Sequence, residues 1–299
     1  MTGAQSITLG TVEIIPVLEL EFALPRDFAF PEADPQLWAD QRDWLAPQFW
    51  DPAEDLLNVC ARSWVLRSDG ATIVVDTGIG NDRDRPGMPP FAQLNTDYLH
   101  NLAAAGVRPE DVDFVVTTHL HPDHVGWNTQ LVNGQWAPTF PNARYLIARA
   151  DFDWWNPVNA NPVRIGPAMA GVFEDSVVPV HQAGLTELWE DGYTIDANLR
   201  LEPAPGHTPG STVLWLRSGT DRAAFVGDLL HTPLQIVEPD LSPCLDEDEN
   251  AGRTSRRRIL DTIAEENALV LPAHFPGAGA AEIRRDGTRY AIVKWAVLD

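Results

Sequence analysis

The chain has 299 residues, with 21 basic and 43 acidic side chains and a formal net charge of −22. Such a surface repels nucleic acid and anionic membranes, and no apolar run approaches the ~18 residues of a membrane span, so neither is expected as a partner. Cys60 and Cys244 are too few for a disulfide framework and read as free thiols in a reducing cytoplasm. The opening Met1-Thr2-Gly3-Ala4-Gln5-Ser6 lacks the charged and apolar regions of a secretory signal, which agrees with a cytoplasmic protein. Residues 1–299 are expected to form a single domain, long enough to bury two sheets and their helices.

In chain order, residues 1–58 come first as an aromatic-rich extension. Phe22, Phe28, Phe30, Trp38, Trp44, Phe49 and Trp50 crowd it. The extension is expected to cap a small-molecule site or to pack on a second subunit, since two-fold dimers are the commonest oligomers. Asp34-Pro35, ahead of Leu37, Trp38 and Trp44, predicts a short helix with proline near its start. Leu94 to Ala105 predicts a helix stopped at Gly106. Val112-Asp113-Phe114-Val115-Val116-Thr117-Thr118 is a short apolar run and predicts a buried strand. Pro122 ends it, and a helix is expected from Asp123. Further strands are expected at Ala223–Gly227 and Leu269–Ala273, with an amphipathic helix from Ser255 to Asn267 carrying Arg256, Arg257 and Arg258 between them.

Function concentrates in Thr118-His119-Leu120-His121-Pro122-Asp123-His124-Val125-Gly126, which sets three imidazoles and one carboxylate within six residues. Neutral imidazole is the commonest metal ligand, and zinc accepts both His nitrogen and Asp oxygen. Taken singly, Asp123 reads equally as a helix N-cap and His121 as an exposed loop residue. Together they fit one metal cluster at the carboxyl end of a strand, where open α/β sheets place their sites. His207 lies in the turn-rich Pro205-Gly206-His207-Thr208-Pro209-Gly210-Ser211, while Asp228 and His274 each follow an expected strand. Five of the eight histidines fall at these positions. Seven candidate ligands without a cysteine suit two open, catalytic sites better than a closed structural one.

This order of motifs resembles the metallo-β-lactamase superfamily. It comprises His119-x-His121-x-Asp123-His124, His207 in a Gly-His-Thr-Pro-Gly loop, Gly227-Asp228 and a late His274. Val74-Val75-Asp76-Thr77-Gly78 resembles that family's early strand-turn element, and the likeness runs from about residue 60 to 275. It implies an α/β fold, a four-layer αβ/βα sandwich. It also implies two metal ions per chain, most simply zinc, with other divalent metals able to substitute. By that resemblance His119, His121 and His207 hold one metal, Asp123, His124 and His274 hold the second, and Asp228 bridges them. A metal pair of this type shares a bridging hydroxide as nucleophile at neutral pH, and Asp123 and Asp228 are the carboxylates that position it.

Gly227-Asp228-Leu229-Leu230-His231 and Ala273-His274-Phe275-Pro276-Gly277, with Tyr290 beyond, resemble the methyl parathion hydrolase branch. Acyl-homoserine lactonases of the superfamily carry Tyr three residues after the bridging Asp. His231 stands there in this chain, and it is expected to face the substrate. Trp127, three residues past His124, is expected to line the substrate pocket near the metals. The leading expectation is a hydrolase of small hydrophobic lactones or esters. The alternatives are a phosphotriester hydrolase and a thioesterase, the last because Arg284, Arg285 and Arg289 offer positive charge for an anionic substrate. A di-iron flavoprotein fits less well, because the ligand set is rich in histidine and no second domain follows.

Overall fold

The computed structural model describes residues 5–298. Residues 1–4, and with them most of the N-terminal stretch examined for a signal, lie outside the described residues, as does 299.

Two sheets face each other. The first has eight strands. In spatial order its main path is Ile7–Leu9, Val12–Pro25, Leu56–Ser68, Ala71–Val75, Phe114–Val116, Arg144–Ala148 and Thr186–Trp189, with Trp50–Asp51 paired to Leu56–Ser68. The second has seven strands, ordered Tyr193–Thr194, Leu199–Pro203, Thr212–Ser218, Asp221–Gly227, Leu269–Pro272, Ala281–Asp286 and Arg289–Trp295.

Side-chain alternation explains why the sheets stack. Successive residues of a strand point to opposite faces. Ile73, Val75, Val116 and Leu146 of the first sheet meet Leu214, Leu216, Phe225 and Leu271 of the second in one core cluster. Their neighbours Val74, Val115 and Tyr145 face outward and are covered by Tyr98 and Leu102 of the helix Tyr98–Ala104. On the other side Val213, Trp215, Ala224, Val226 and Val270 meet Ile259, Leu260 and Ile263 of the helix Glu249–Glu266. A sheet apolar on both faces needs cover on both. Each fully buried aliphatic or aromatic side chain contributes about 1.5–3 kcal/mol, so a register slip of one residue, which would turn either set outward, is strongly disfavoured. The result is the expected helix–sheet–sheet–helix sandwich.

Several element boundaries differ from expectation. The helix expected over 94–105 is confined to Tyr98–Ala104, and Gly106 follows it with φ +74°. The helix expected from Ser255 begins at Glu249, because the Asp248 carboxylate accepts from the backbone N–H groups of Asn250 and Ala251. It ends at Glu266, before a left-handed Asn267. The strand before the His motif is only Phe114–Val116, and the following short helix starts at Pro122, one residue early. Proline fits the first helical position, where its missing N–H would have no partner. The short helix Pro35–Asp40 forms with Asp34 as its N-cap.

Within residues 1–58, the strand Val12–Pro25 pairs with Leu56–Ser68 along nearly its whole length. Phe30, Trp38, Phe49 and Trp50 are buried in the cluster over the second sheet, while Phe28 is 55 % exposed. Both cysteines are free, Cys60 buried and Cys244 half-buried. Among the described residues no helix is long and apolar enough to cross a membrane.

Candidate metal centre

The carboxyl ends of three strands and one loop converge at one edge of the sandwich. Phe114–Val116 leads into His119, His121, Asp123 and His124. Asp221–Gly227 leads into Asp228, Leu269–Pro272 into His274, and the turn between Leu199–Pro203 and Thr212–Ser218 carries His207. Thr212 N–H donates to the Thr118 carbonyl at 2.9 Å and ties the two sheets together here. Gly227 sits just before Asp228 at φ +49°, where a β-carbon would lie 2.7 Å from Thr118 Oγ1. Only glycine permits that turn and that approach together.

The side chains form two groups able to hold metal ions. In His119, His121, His207 and Asp228, one donor atom from each lies within 4.8 Å of the others, and the same holds for Asp123, His124 and His274. Asp228 faces both groups. Its Oδ2 is 3.3 Å from His207 Nε2 and 3.7 Å from His119 Nε2, and its Oδ1 is 3.1 Å from His124 Nε2 and 3.0 Å from His274 Nε2. His119 Nε2, His124 Nε2 and Asp228 Oδ1 are buried without a hydrogen-bond partner. Buried polar atoms are almost always partnered, so converging orphan donors of this type fit metal ions.

On His119, His124, His207 and His274 the opposite ring nitrogen, Nδ1, is committed, which turns Nε2 inward. His119 Nδ1 lies 3.1 Å from Thr118 Oγ1, itself donating to Asp76. His124 Nδ1 donates to Asp76 Oδ2 at 2.9 Å, His207 Nδ1 to Asp246 Oδ1 at 3.0 Å, and His274 Nδ1 to the Cys60 carbonyl at 2.8 Å. His121 differs, turning Nδ1 toward His207 Nε2 at 2.9 Å and packing edge-on against Trp155. Asp151 holds two ligand-bearing loops at once, accepting from Leu120 N–H at 2.9 Å and Gly210 N–H at 2.6 Å.

Asp76, Asp151, Asp246 and the Cys60 carbonyl went unassigned in the sequence. Asp76 had a signal, an aspartate closing a strand before Thr-Gly. Asp246 had none, because it sits in the acidic run Leu245-Asp246-Glu247-Asp248-Glu249, which reads as a solvated surface.

Two expected substrate contacts part company. His231 is buried and lines a cavity with His121, Asp123, Asp228 and His274, its Nε2 3.2 Å from Asp228 Oδ2. Trp127 does not line that cavity. Its indole stacks on Tyr98 and donates to Glu19 Oε1 at 2.7 Å. The short helix and turn after His124 rotate it onto the outer face of the first sheet, so its expected placement is corrected.

With no metal bound, charge in the cluster is divided. Burial, reinforced by neighbouring imidazoles, holds His119 and His121 well below the ordinary histidine range. Burial also opposes charge on His124 and His207, but carboxylates outweigh it: Asp228, Asp123 and Asp76 hold His124 well above its usual range, and Asp228 and Asp246 push His207 up to about 9. Asp228 and Asp123 likewise raise His274 against burial, so these three rings favour the protonated form, and ligation requires their lone pairs. Metal uptake by metal-free protein at about pH 7 is expected to release protons, with release declining as pH rises through 9, the value for His207. Titration in a weakly buffered indicator solution measures it, and uptake without proton release at pH 7 would contradict the assignment.

The metallo-β-lactamase superfamily model matches residues 61–274. The chain belongs to that superfamily. Among curated relatives, an N-acyl homoserine lactonase of Bacillus cereus is 21 % identical over 234 residues, covering 74 % of this chain and 83 % of its own length. Among solved structures, AidC, a dizinc quorum-quenching lactonase in complex with a product, superposes with a TM-score of 0.82 at 22 % identity, with 99 % of each chain covered. The hydrolase AbOPH superposes with a TM-score of 0.82 at 21 % identity, covering 100 % of this chain and 99 % of its own. The chain is thus similar to metal-dependent hydrolases, and it is a hydrolase of this superfamily with two groups able to bind metal ions.

Proposed function

We propose that the protein is a dinuclear, zinc-type hydrolase that opens small lactones, or cleaves esters, bearing an apolar substituent. The observation that carries this reading is the lining of the cavity over the metal groups. Phe22, Leu24, Phe28, Leu57, Val59, Met88 and Phe91 supply apolar walls, while His121, Asp123, Asp228, His231 and His274 supply the polar floor. No arginine or lysine lines it. Apolar walls with a few converging polar groups suit a small neutral ligand. The relatives named as N-acyl homoserine lactonases support the lactone within that class.

The residues divide the work. Bound at the two groups, metal ions supply a water acidic enough to ionise near neutral pH and a Lewis acid for the carbonyl. Asp228 spans both groups and keeps their separation constant. Asp123 is the half-buried carboxylate of that polar floor. The apolar walls hold the substituent, exclude water and aim the acyl carbon at the floor. Hydrolysis breaks the bond between acyl carbon and ring oxygen, and the leaving oxygen needs a hydrogen-bond donor. His231 offers a ring N–H from the cavity side. The arm within 1–58 acts as the cap, because Phe22, Leu24, Phe28 and Ala29 all belong to the lining.

A neutral phosphotriester is the second reading, favoured by the same uncharged, apolar lining. A thioesterase for anionic glutathione conjugates has no support in the cavity. Arg284, Arg285 and Arg289 lie on the hairpin Ala281–Asp286 and Arg289–Trp295, paired with Asp286, Asp261 and Glu238.

A panel of lactones, aryl esters, thioesters and phosphotriesters, assayed with zinc-reconstituted protein, tests the proposal. The expected result is the highest kcat/KM on a lactone or ester, rising with the length of a neutral alkyl substituent. Preference for an anionic substrate, or no turnover of any lactone or ester, would overturn it.

A further inference from the structure

Behind the two metal groups lie two buried arginines that the reaction does not use. Arg256 is 1 % exposed and Arg62 is 4 % exposed. An arginine is seldom fully buried unless its charge and its donors are all answered. The bonds these two make run mainly to the backbone that carries the candidate ligands, while Nη1 of Arg62 has no partner among the described residues.

Arg256 lies on the helix Glu249–Glu266, on the face shared by Gly252 and Ser255. Its Nε donates to the Leu229 carbonyl at 2.8 Å, and one terminal nitrogen donates to the Pro239 and Leu241 carbonyls at 3.0 Å each. Its other terminal nitrogen lies 3.6 Å from Asp246 Oδ2. Asp246 Oδ1 in turn accepts from His207 Nδ1. The same helix face seats the His207 loop directly. Ser255 Oγ donates to the Pro205 carbonyl at 2.7 Å, and Gly206 is so close that a β-carbon there would lie 2.1 Å from Gly252 N. Arg256 therefore spans the Asp246 support of His207 and the segment after Asp228.

Arg62 plays the matching part for the other group. It shares a strand face with Cys60 two residues away. Its guanidinium donates to Cys60 Sγ at 3.1 and 3.2 Å, to the Phe275 carbonyl at 2.5 Å and to the Gly277 carbonyl at 3.1 Å. Cys60 N–H donates to the His274 carbonyl at 3.1 Å, and the Cys60 carbonyl accepts from His274 Nδ1. Residues on both sides of this clamp hold one imidazole.

We propose that Arg256 and Arg62 are positioning residues with separate duties: Arg256 sets the metal affinity of the His119–His121–His207 group, and Arg62 that of the Asp123–His124–His274 group. The inference rests on reading these groups as metal positions. The guanidinium fork makes several directed bonds at once, which a lysine ammonium cannot reproduce. Loosening either clamp should free one imidazole to tilt, and the loss should fall chiefly on one metal position. Changes of this kind cost about 10- to 100-fold in metal affinity.

The test is cadmium binding followed by ¹¹³Cd NMR and by titration, on full-length wild-type protein and on Arg256→Met and Arg62→Met. The two resonances are assigned beforehand with His121→Ala and His274→Ala. The expected result is crossed selectivity. Arg256→Met weakens the position that His121→Ala removes, by about 10-fold or more, and weakens the other position clearly less. Arg62→Met does the reverse. If either methionine variant fails to fold, Arg256→Lys, Arg62→Lys and Asp246→Asn replace it, with Asp246→Asn expected to match the Arg256 pattern. Equal weakening of both positions in each variant, or no change in either, overturns the proposal. Failure of wild-type protein to bind two cadmium ions would instead refute the metal reading on which it rests.

Discussion

Replacing Asp228 with alanine is expected to lower turnover by more than ~10²-fold and to take metal content below two ions per chain. Among the described residues Asp228 is the one carboxylate that approaches the ring nitrogens of both groups, with His207 Nε2 at 3.3 Å on one side and His274 Nε2 at 3.0 Å on the other. By the proposed assignment its removal deletes a ligand from each group and the link that holds their separation. It also removes the anion around which the imidazoles gather. Burial alone would raise the Asp228 carboxyl, and the surrounding His124, His274, His231 and His119 hold it well below the usual range instead. Elemental analysis and steady-state kinetics on Asp228→Ala check both halves. Near-normal turnover with two metals retained would show that Asp228 does not link the groups. Asp228→Asn separates shape from charge, since it keeps the size but weakens ligation.

Replacing His231 with alanine is expected to lower kcat by roughly 10- to 10⁴-fold, the usual contribution of a positioned proton donor, with metal content unchanged. His231 is buried at the cavity wall, and both its ring nitrogens lack a hydrogen-bond partner. Its ring stands beside Asp228, with Oδ2 3.2 Å from Nε2. Its backbone is fixed by Gln235, whose side-chain oxygen accepts from His231 N–H at 2.6 Å and Thr232 N–H at 3.2 Å. The loop should therefore keep its course in the alanine variant. A fall in kcat with KM little changed marks a contact made in the transition state. Loss of metal together with activity would place His231 behind the metals, and unchanged kinetics on every accepted substrate would remove it from the reaction. Activity on substrates with better leaving groups should suffer less, because an alkoxide that leaves readily needs little help from a donor.

How much of this was legible in the chain depends on the distance over which each feature is decided. Chain connectivity alone keeps His119, His121, Asp123 and His124 together, since they occupy six consecutive residues after a strand. Short apolar runs were enough to place the strands before Asp228 and His274, and the order of those motifs was enough for the family and the four-layer fold. Other features depended on packing between distant segments. The helix that starts at Glu249 and not at Ser255 is fixed by Asp248, which caps it beside the docked Gly206 loop. Trp127 turns away from the cavity because Tyr98 and Glu19, remote in sequence, offer its ring a stacking face and its N–H an acceptor. Asp151, Asp246 and Arg256 look in sequence like any solvated charge, and burial against a partner fixed elsewhere makes them supports of the site. The sequence by itself determined the family and the strand ends that carry the candidate ligands. Only the tertiary structure decided which charges stand behind those ligands and which aromatic rings wall the cavity, because hydrogen bonds and burial are set by segments that meet in space without being neighbours in the chain.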